Sequence, residues 1–131
     1  LGMKKSPKLE RAIIPEEFLA EDLKYDLLRG IFDTDGSVVS TDNNGYLYPR
    51  LEIKICESPM KYQIISLLDG LGFRFGVYRV NDHQVRIQMN GKKPLKKWIE
   101  LISFCNDKHI QKLKNWEDIY DHYKKNSERR I

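Results

Sequence analysis

Leu28-Arg29-Gly30-Ile31-Phe32-Asp33-Thr34-Asp35-Gly36 is the stretch that decides how the rest of this chain is read. Around it Phe18, Leu19, Leu23, Leu27, Leu28, Ile31 and Phe32 recur at spacings of three and four, which predicts an amphipathic helix over residues 15–32. Asp33-Thr34-Asp35-Gly36-Ser37 then ends the helix. Two carboxylates at a helix C-terminus oppose the macrodipole, which favours cations there. A chain that accepts this misfit keeps the carboxylates for something other than helix stability.

Downstream, residues 37–40 read as a short strand, Thr41-Asp42-Asn43-Asn44-Gly45 as a turn and residues 46–57 as a second strand. In that strand Leu51, Ile53 and Ile55 alternate with Arg50, Glu52 and Lys54, so one face belongs to the core and the other is charged. Ser58-Pro59 supplies an N-cap and a first-turn proline for a second helix carrying Tyr62, Ile65, Leu67, Leu68 and Leu71 and stopped by Gly70 and Gly72. Residues 73–80 and 84–90 form a second hairpin around Asn81-Asp82-His83. Here Val85, Ile87 and Met89 oppose Gln84, Arg86, Gln88 and Asn90, a row of hydrogen-bonding groups. A helix through Leu95, Trp98, Ile99, Leu101, Ile102 and Phe104 follows, and a last one beyond Asn106 carries Ile110, Leu113, Trp116, Ile119 and Tyr120. The order α-β-β-α-β-β-α-α predicts an α+β fold, a four-stranded antiparallel sheet with helices on one face. Residues 1–14 read as a basic tail or linker, 15–123 as the domain and 124–131 as a basic C-terminal tail.

The nine-residue string resembles the signature of the LAGLIDADG homing endonucleases, matching or conserving eight positions, and the resemblance extends through the element order over roughly residues 15–116. The departure is Arg29 where the name motif has Ala, a change expected to be tolerated by an outward-facing side chain. The resemblance implies that the motif helices of two domains cross at a dimer axis. Gly30 allows the backbones to approach there, with Leu27, Ile31 and Thr34 beside it. It further implies that paired Asp35 carboxylates and the Thr34 backbone carbonyl hold hard divalent cations, Mg²⁺ or Mn²⁺, with Ca²⁺ supporting binding without cleavage. Such a metal activates water near neutral pH and stabilises the departing oxyanion in phosphodiester hydrolysis.

Asn106-Asp107-Lys108-His109 resembles the Asn-x-Lys-His segment of archaeal and intein-type members, which makes Lys108 the candidate catalytic cation. Glu57, at the end of the second strand, falls where the family carries a polar or acidic residue contacting metal-bound water. The resemblance also turns the charged sheet face into a surface for the major groove of double-stranded DNA, built from Thr41, Tyr48, Arg50, Glu52, Lys54, Arg74, Tyr78, Gln84, Arg86 and Gln88. Arg suits guanine, Gln suits adenine and Glu accepts from cytosine.

Two other readings of Asp-Thr-Asp-Gly-Ser compete: the EF-hand fails, and context counts against the phosphatase motif, the strongest competitor on local sequence alone. An EF-hand loop counted from Asp33 needs Gly at its sixth position and Glu at its twelfth, where the chain has Val38 and Asn44. The nucleophile motif of haloacid-dehalogenase-type phosphatases ends an apolar strand, whereas Asp33 follows a helix-period segment. With 23 Lys and Arg against 19 Asp and Glu, the net charge of +4 supports a polyanionic partner only weakly. No apolar run approaches the ~20 residues of a membrane span, and no signal peptide is evident. Cys56 and Cys105 make no C-x-x-C pair, so a reducing, cytoplasmic setting is expected. One motif copy is half of a site, so the expectation is a homodimer on a pseudo-palindromic target. The alternatives are one half of a two-motif endonuclease, or a cleavage-inactive regulator or RNA-splicing maturase. An intein-embedded domain would need terminal splicing blocks that the chain does not show.

Overall fold

The computed structural model describes residues 13–19 and 23–129. Most of the expected N-terminal tail lies outside them, but Ile14 does not behave as tail. It is buried, its N–H donates to Gln63 Oε1 at 2.7 Å and its carbonyl accepts from Gln63 Nε2 at 2.9 Å. The side-chain amide pairs Ile14 as a neighbouring strand would, so the packed domain extends upstream of residue 15.

The first predicted helix is divided. A 3-10 turn spans Glu16–Leu19, and helix α1 spans Lys24–Asp35, with Leu28 and Phe32 buried. The helix also runs past the expected end at Phe32, because its last carbonyls find partners far along the chain. His109 Nε2 lies 3.2 Å from the Phe32 carbonyl, and Asn106 Nδ2 donates to the Asp33 carbonyl at 2.8 Å. The Phe32 carbonyl, which also accepts the Gly36 N–H, and the Asp33 carbonyl are thus paired at the helix end.

Strand β1 (Gly36–Asn43) and β2 (Tyr46–Cys56) pair antiparallel down to Asn43 opposite Tyr46. The connection is only Asn44-Gly45, both at positive φ (57° and 84°), the two-residue turn that Asn-Gly favours. The strand therefore extends three residues beyond the expected end at Ser40. Helix α2 (Pro59–Gly70) begins at its proline as expected, but Ser58 is no side-chain cap, since its Oγ donates back to the Cys56 carbonyl. Ile64 and Leu68 form its buried face, whereas Tyr62 is 63% exposed.

Strands β3 (Gly76–Arg79) and β4 (Gln84–Asn90) complete a sheet of order β1-β2-β4-β3, antiparallel throughout. Helix α3 (Lys92–Leu101) packs beneath it. The single last helix expected beyond Asn106 is α4 (Asp107–Lys112), a 3-10 turn at Leu113–Asn115, and α5 (Glu117–Arg129). Trp116 makes the break. Its backbone is extended and its indole Nε1 donates to the Leu47 carbonyl at 2.8 Å, which pins the chain to the β1–β2 hairpin. Helix α5 continues through the residues expected to form a tail, as far as Arg129.

The helix-facing side of the sheet contributes Val38, Leu51, Ile53, Ile55, Val85, Ile87 and Met89 to the core. Phe32, Trp98 and Phe104 fill its centre, with ring centroids 5.0 Å (Phe32–Trp98) and 5.7 Å (Phe32–Phe104) apart. Among the described residues the helices lie on that side, and the other face stays open.

Candidate functional site

The two motif aspartates have different fates. Asp33 faces inward: its Oδ2 accepts the Cys105 N–H at 3.0 Å and its Oδ1 is buried without a partner. Asp35 is exposed, and among the described residues no N–H or cation engages its carboxylate. Local sequence makes these carboxylates equivalent; the loop at residues 103–106 separates them.

Asn106 organises this corner. Its Oδ1 accepts the Lys108 N–H at 2.9 Å and caps α4, while its Nδ2 holds the Asp33 carbonyl. One side chain therefore fastens the start of α4 to the end of α1, and Lys108, in the first turn of α4, is exposed. His109, the next residue, is buried. Only an N–H can pair with the Phe32 carbonyl, so Nε2 carries the proton. Burial pushes the His109 pKa down, against the carbonyl bond, and Lys108 adds to the lowering. His109 is a neutral helix clasp.

Arg29 corrects the reading of an outward-facing side chain. It is half-buried, donates from Nε to the Ile102 carbonyl at 2.8 Å and pairs with Asp26 at 3.0 Å. A guanidinium at the C-terminal end of α3 meets that helix's negative pole.

Asp35 also borders a cleft of about 690 Å³ with Lys54, Cys56, Glu57, Asn81, Asp82, His83 and Gln84. The structure thus brings together Asp35 and Glu57. Sequence reasoning missed Lys61, which pairs with Glu57, and the β3–β4 turn, tied to it by Glu57 N–H donating to the His83 carbonyl at 2.8 Å. The Glu57 carboxylate holds the Lys61 ammonium above its ordinary range against partial burial. The Glu-to-Lys spacing of four was the available signal, obscured because Glu57 precedes the helix.

Along α1, Leu23, Asp26, Leu27, Gly30, Ile31, Thr34 and Asp35 line a shallow groove. A Cβ placed on Gly30 would meet nothing within 4 Å, and the Thr34 hydroxyl folds back onto the Gly30 carbonyl at 2.7 Å. The residues expected at a dimer axis are therefore collected on one open helix face that ends at Asp35.

The expected base-reading residues share the open sheet face. Register places Thr41 opposite Tyr48, Glu52 opposite Gln88, Lys54 opposite Arg86 and Arg86 opposite Tyr78. Arg50 and Gln84 follow the same alternation, and Arg74 is exposed just before β3. Tyr46 and Tyr48, with ring centroids 4.8 Å apart, widen the surface at the hairpin end.

For a hard cation, the donors fit half a site: one unengaged carboxylate, Asp35, beside the terminal carbonyls of α1. Among the described residues no three His, Cys, Asp or Glu side chains converge. Cys56 and Cys105 are free thiols, and among the described residues no helix is long and apolar enough to cross a membrane.

A four-stranded antiparallel sheet backed by helices matches the fold of the LAGLIDADG homing endonucleases. The structure resembles the homing endonuclease I-CvuI in complex with the I-CreI target in magnesium, DNA not cleaved, and in complex with its own target in calcium. The TM-score is 0.55 for both, with 19% identity over 71% and 70% of this chain and 64% and 63% of that one. It also resembles the LAGLIDADG meganuclease I-AabMI bound to uncleaved DNA, with TM-score 0.52 and 15% identity over 67% of this chain and 33% of that one. Among sequences, it is 30% identical over 122 residues to the uncharacterized protein MJ1054 of Methanocaldococcus jannaschii. That match takes in 88% of this chain but only 13% of the relative's length. No protein-family model matches the chain.

Proposed function

We propose that this chain is one half of a divalent-metal-dependent endonuclease that hydrolyses both strands of DNA at a long pseudo-palindromic site, working as a homodimer. The observation that carries the reading is the open α1 face, where Gly30, flanked by Leu27 and Ile31, leads to the unengaged Asp35. Two such faces packed across a two-fold axis bring two Asp35 carboxylates together. Mg²⁺ or Mn²⁺ held by the paired Asp35 carboxylates and Thr34 carbonyls would supply an activated water and neutralise charge on the departing oxygen. Lys108 adds positive charge beside the scissile phosphate. Glu57, held by Lys61, orients water in the cleft it shares with Asp35. The open sheet face binds the major groove, as the DNA complexes of the neighbouring structures suggest.

The test begins with a selection for cleaved sites from a random duplex library in Mg²⁺. On the selected site, Asp35→Asn is expected to abolish cutting and keep specific binding in Ca²⁺, with two chains per duplex by sedimentation. Normal cutting by the variant, or one chain per cleaved duplex, overturns the proposal. Binding without cutting by the wild type would leave the cleavage-inactive regulator or maturase.

The length of the Methanocaldococcus jannaschii protein supports a second arrangement, in which such a domain is embedded in a longer polypeptide and its second half is supplied in cis. A chain that stays monomeric on DNA yet cuts when joined to a second motif-bearing domain would establish it.

A further inference from the structure

The open sheet face carries one carboxylate at its centre, an unexpected charge on a surface for a polyanion. Glu52 is only 15% exposed, and its Oε2 lies 3.1 Å from Arg50 Nε and 4.0 Å from Arg86 Nε. Both arginines thus turn the same edge toward one oxygen. Arg50 Nε donates to that oxygen, and Arg86 Nε, buried without a hydrogen-bond partner, faces it; both Nη groups of each guanidinium remain available, and no protein hydrogen bond engages them among the described residues. Two Nη groups form the fork that matches guanine O6 and N7. Arg86 is steadied further by Tyr78, whose ring centroid lies 5.8 Å from its Cζ. Beside them, Gln88 donates to Asn90 at 3.3 Å while its own Oε1 is buried without a donor. The centre of the face is fixed in shape and incomplete in hydrogen bonding.

Resting on the reading that this face binds duplex DNA, we propose that Glu52 is a positioning residue that presents Arg50 and Arg86 to two guanines of each half-site. In this proposal Glu52 acts through the arginines, its Oε2 accepting from Arg50 Nε, and not as the expected cytosine reader. Arg86 stands opposite Lys54 and Arg50 opposite Asn90, so the two arginines sit four residues apart along the sheet. Their side chains converge, however, with both Nε atoms within 4.0 Å of one Glu52 oxygen, so at about 3.4 Å per base step the guanines lie within about two base pairs of each other. The carboxylate also repels phosphates, so it weakens binding to sequences that do not engage the arginines.

The experiment is site selection with random duplexes in Ca²⁺, comparing the wild-type chain with Glu52→Gln, Arg50→Lys and Arg86→Lys. The wild type is expected to enrich guanine at two positions within about two base pairs of each other. Glu52→Gln is expected to lose both preferences together, by roughly tenfold each, and to bind unselected DNA more tightly. Each Arg→Lys variant keeps its charge but loses the fork, and is expected to erase one guanine only. Unchanged guanine enrichment in Glu52→Gln overturns the proposal. So does uniformly weaker binding to every sequence, which a merely structural carboxylate would give. If Glu52→Gln does not fold, the lysine variants decide, and guanine preferences that survive in both refute the assignment. Absence of any DNA binding by the wild type would instead overturn the proposed function itself.

Discussion

Gly30→Ala separates the stability of the fold from the proposed function, because the two effects have opposite signs. Gly30 lies inside α1, and a Cβ there meets nothing within 4 Å. With no steric penalty in the single chain, the substitution restores helix propensity and restricts the unfolded chain, a gain of about 0.5–1 kcal/mol. Unfolding entropy near 60 °C is about 2.1 cal/mol/K per residue, or roughly 0.3 kcal/mol/K for 131 residues. The melting temperature should therefore rise by about 2–4 °C.

At a two-fold contact through Gly30 the same methyl group enters twice and separates the two backbones. Overpacking costs about 1–3 kcal/mol per site, so even the low end for two sites weakens dimerisation by about thirtyfold. The assay pairs thermal melting of the dilute, monomeric chain with sedimentation and cleavage on the selected duplex. A lower melting temperature would refute the open environment of Gly30. A stabilised chain that dimerises and cuts like the wild type would refute the proposed axis.

Three further outcomes follow from the clasp around α1. His109 has a folded pKa below its ordinary value of 6.5, chiefly through burial. The unfolded chain therefore takes up that proton first, so its contribution to stability is complete above pH 6.5 and declines as pH falls toward and through the folded value. His109→Gln, which keeps a donor for the Phe32 carbonyl, should flatten that dependence in denaturant titrations between pH 7.5 and about 5; an unchanged slope assigns it elsewhere. Asn106→Ala should lower stability by about 1–3 kcal/mol, removing the cap of α4 and the Asp33 carbonyl's partner together, and should depress cleavage more than DNA binding; a change below about 0.5 kcal/mol would deny the double role. Arg29→Met should cost about 1–2 kcal/mol for the charge-assisted bond to Ile102, measured by urea unfolding, whereas the outward-facing reading expects almost nothing.

The sheet was legible because a strand reports its faces with period two. Leu51, Ile53, Ile55, Val85, Ile87 and Met89 are all buried, as their alternation requires. Helix limits were less legible because their partners are distant in sequence. Ile102 holds Arg29 from 73 residues away, and Asn106 holds the Asp33 carbonyl across the same separation. Nothing around Arg29 distinguishes a solvated arginine from one seated on another helix's end.

The same distance explains why the misfit of two carboxylates at a helix end was visible while its resolution was not. Asp33 is occupied by the Cys105 N–H, and the α1 carbonyls by Asn106 and His109. Those partners satisfy groups that would otherwise fray the last turn, so the helix holds together while Asp35 remains unengaged. A protein stabilised for its own sake would have neutralised Asp35 too. Leaving one carboxylate unengaged beside an open glycine face is the local rule broken, and it is broken where the proposed second motif helix and cation would meet this one.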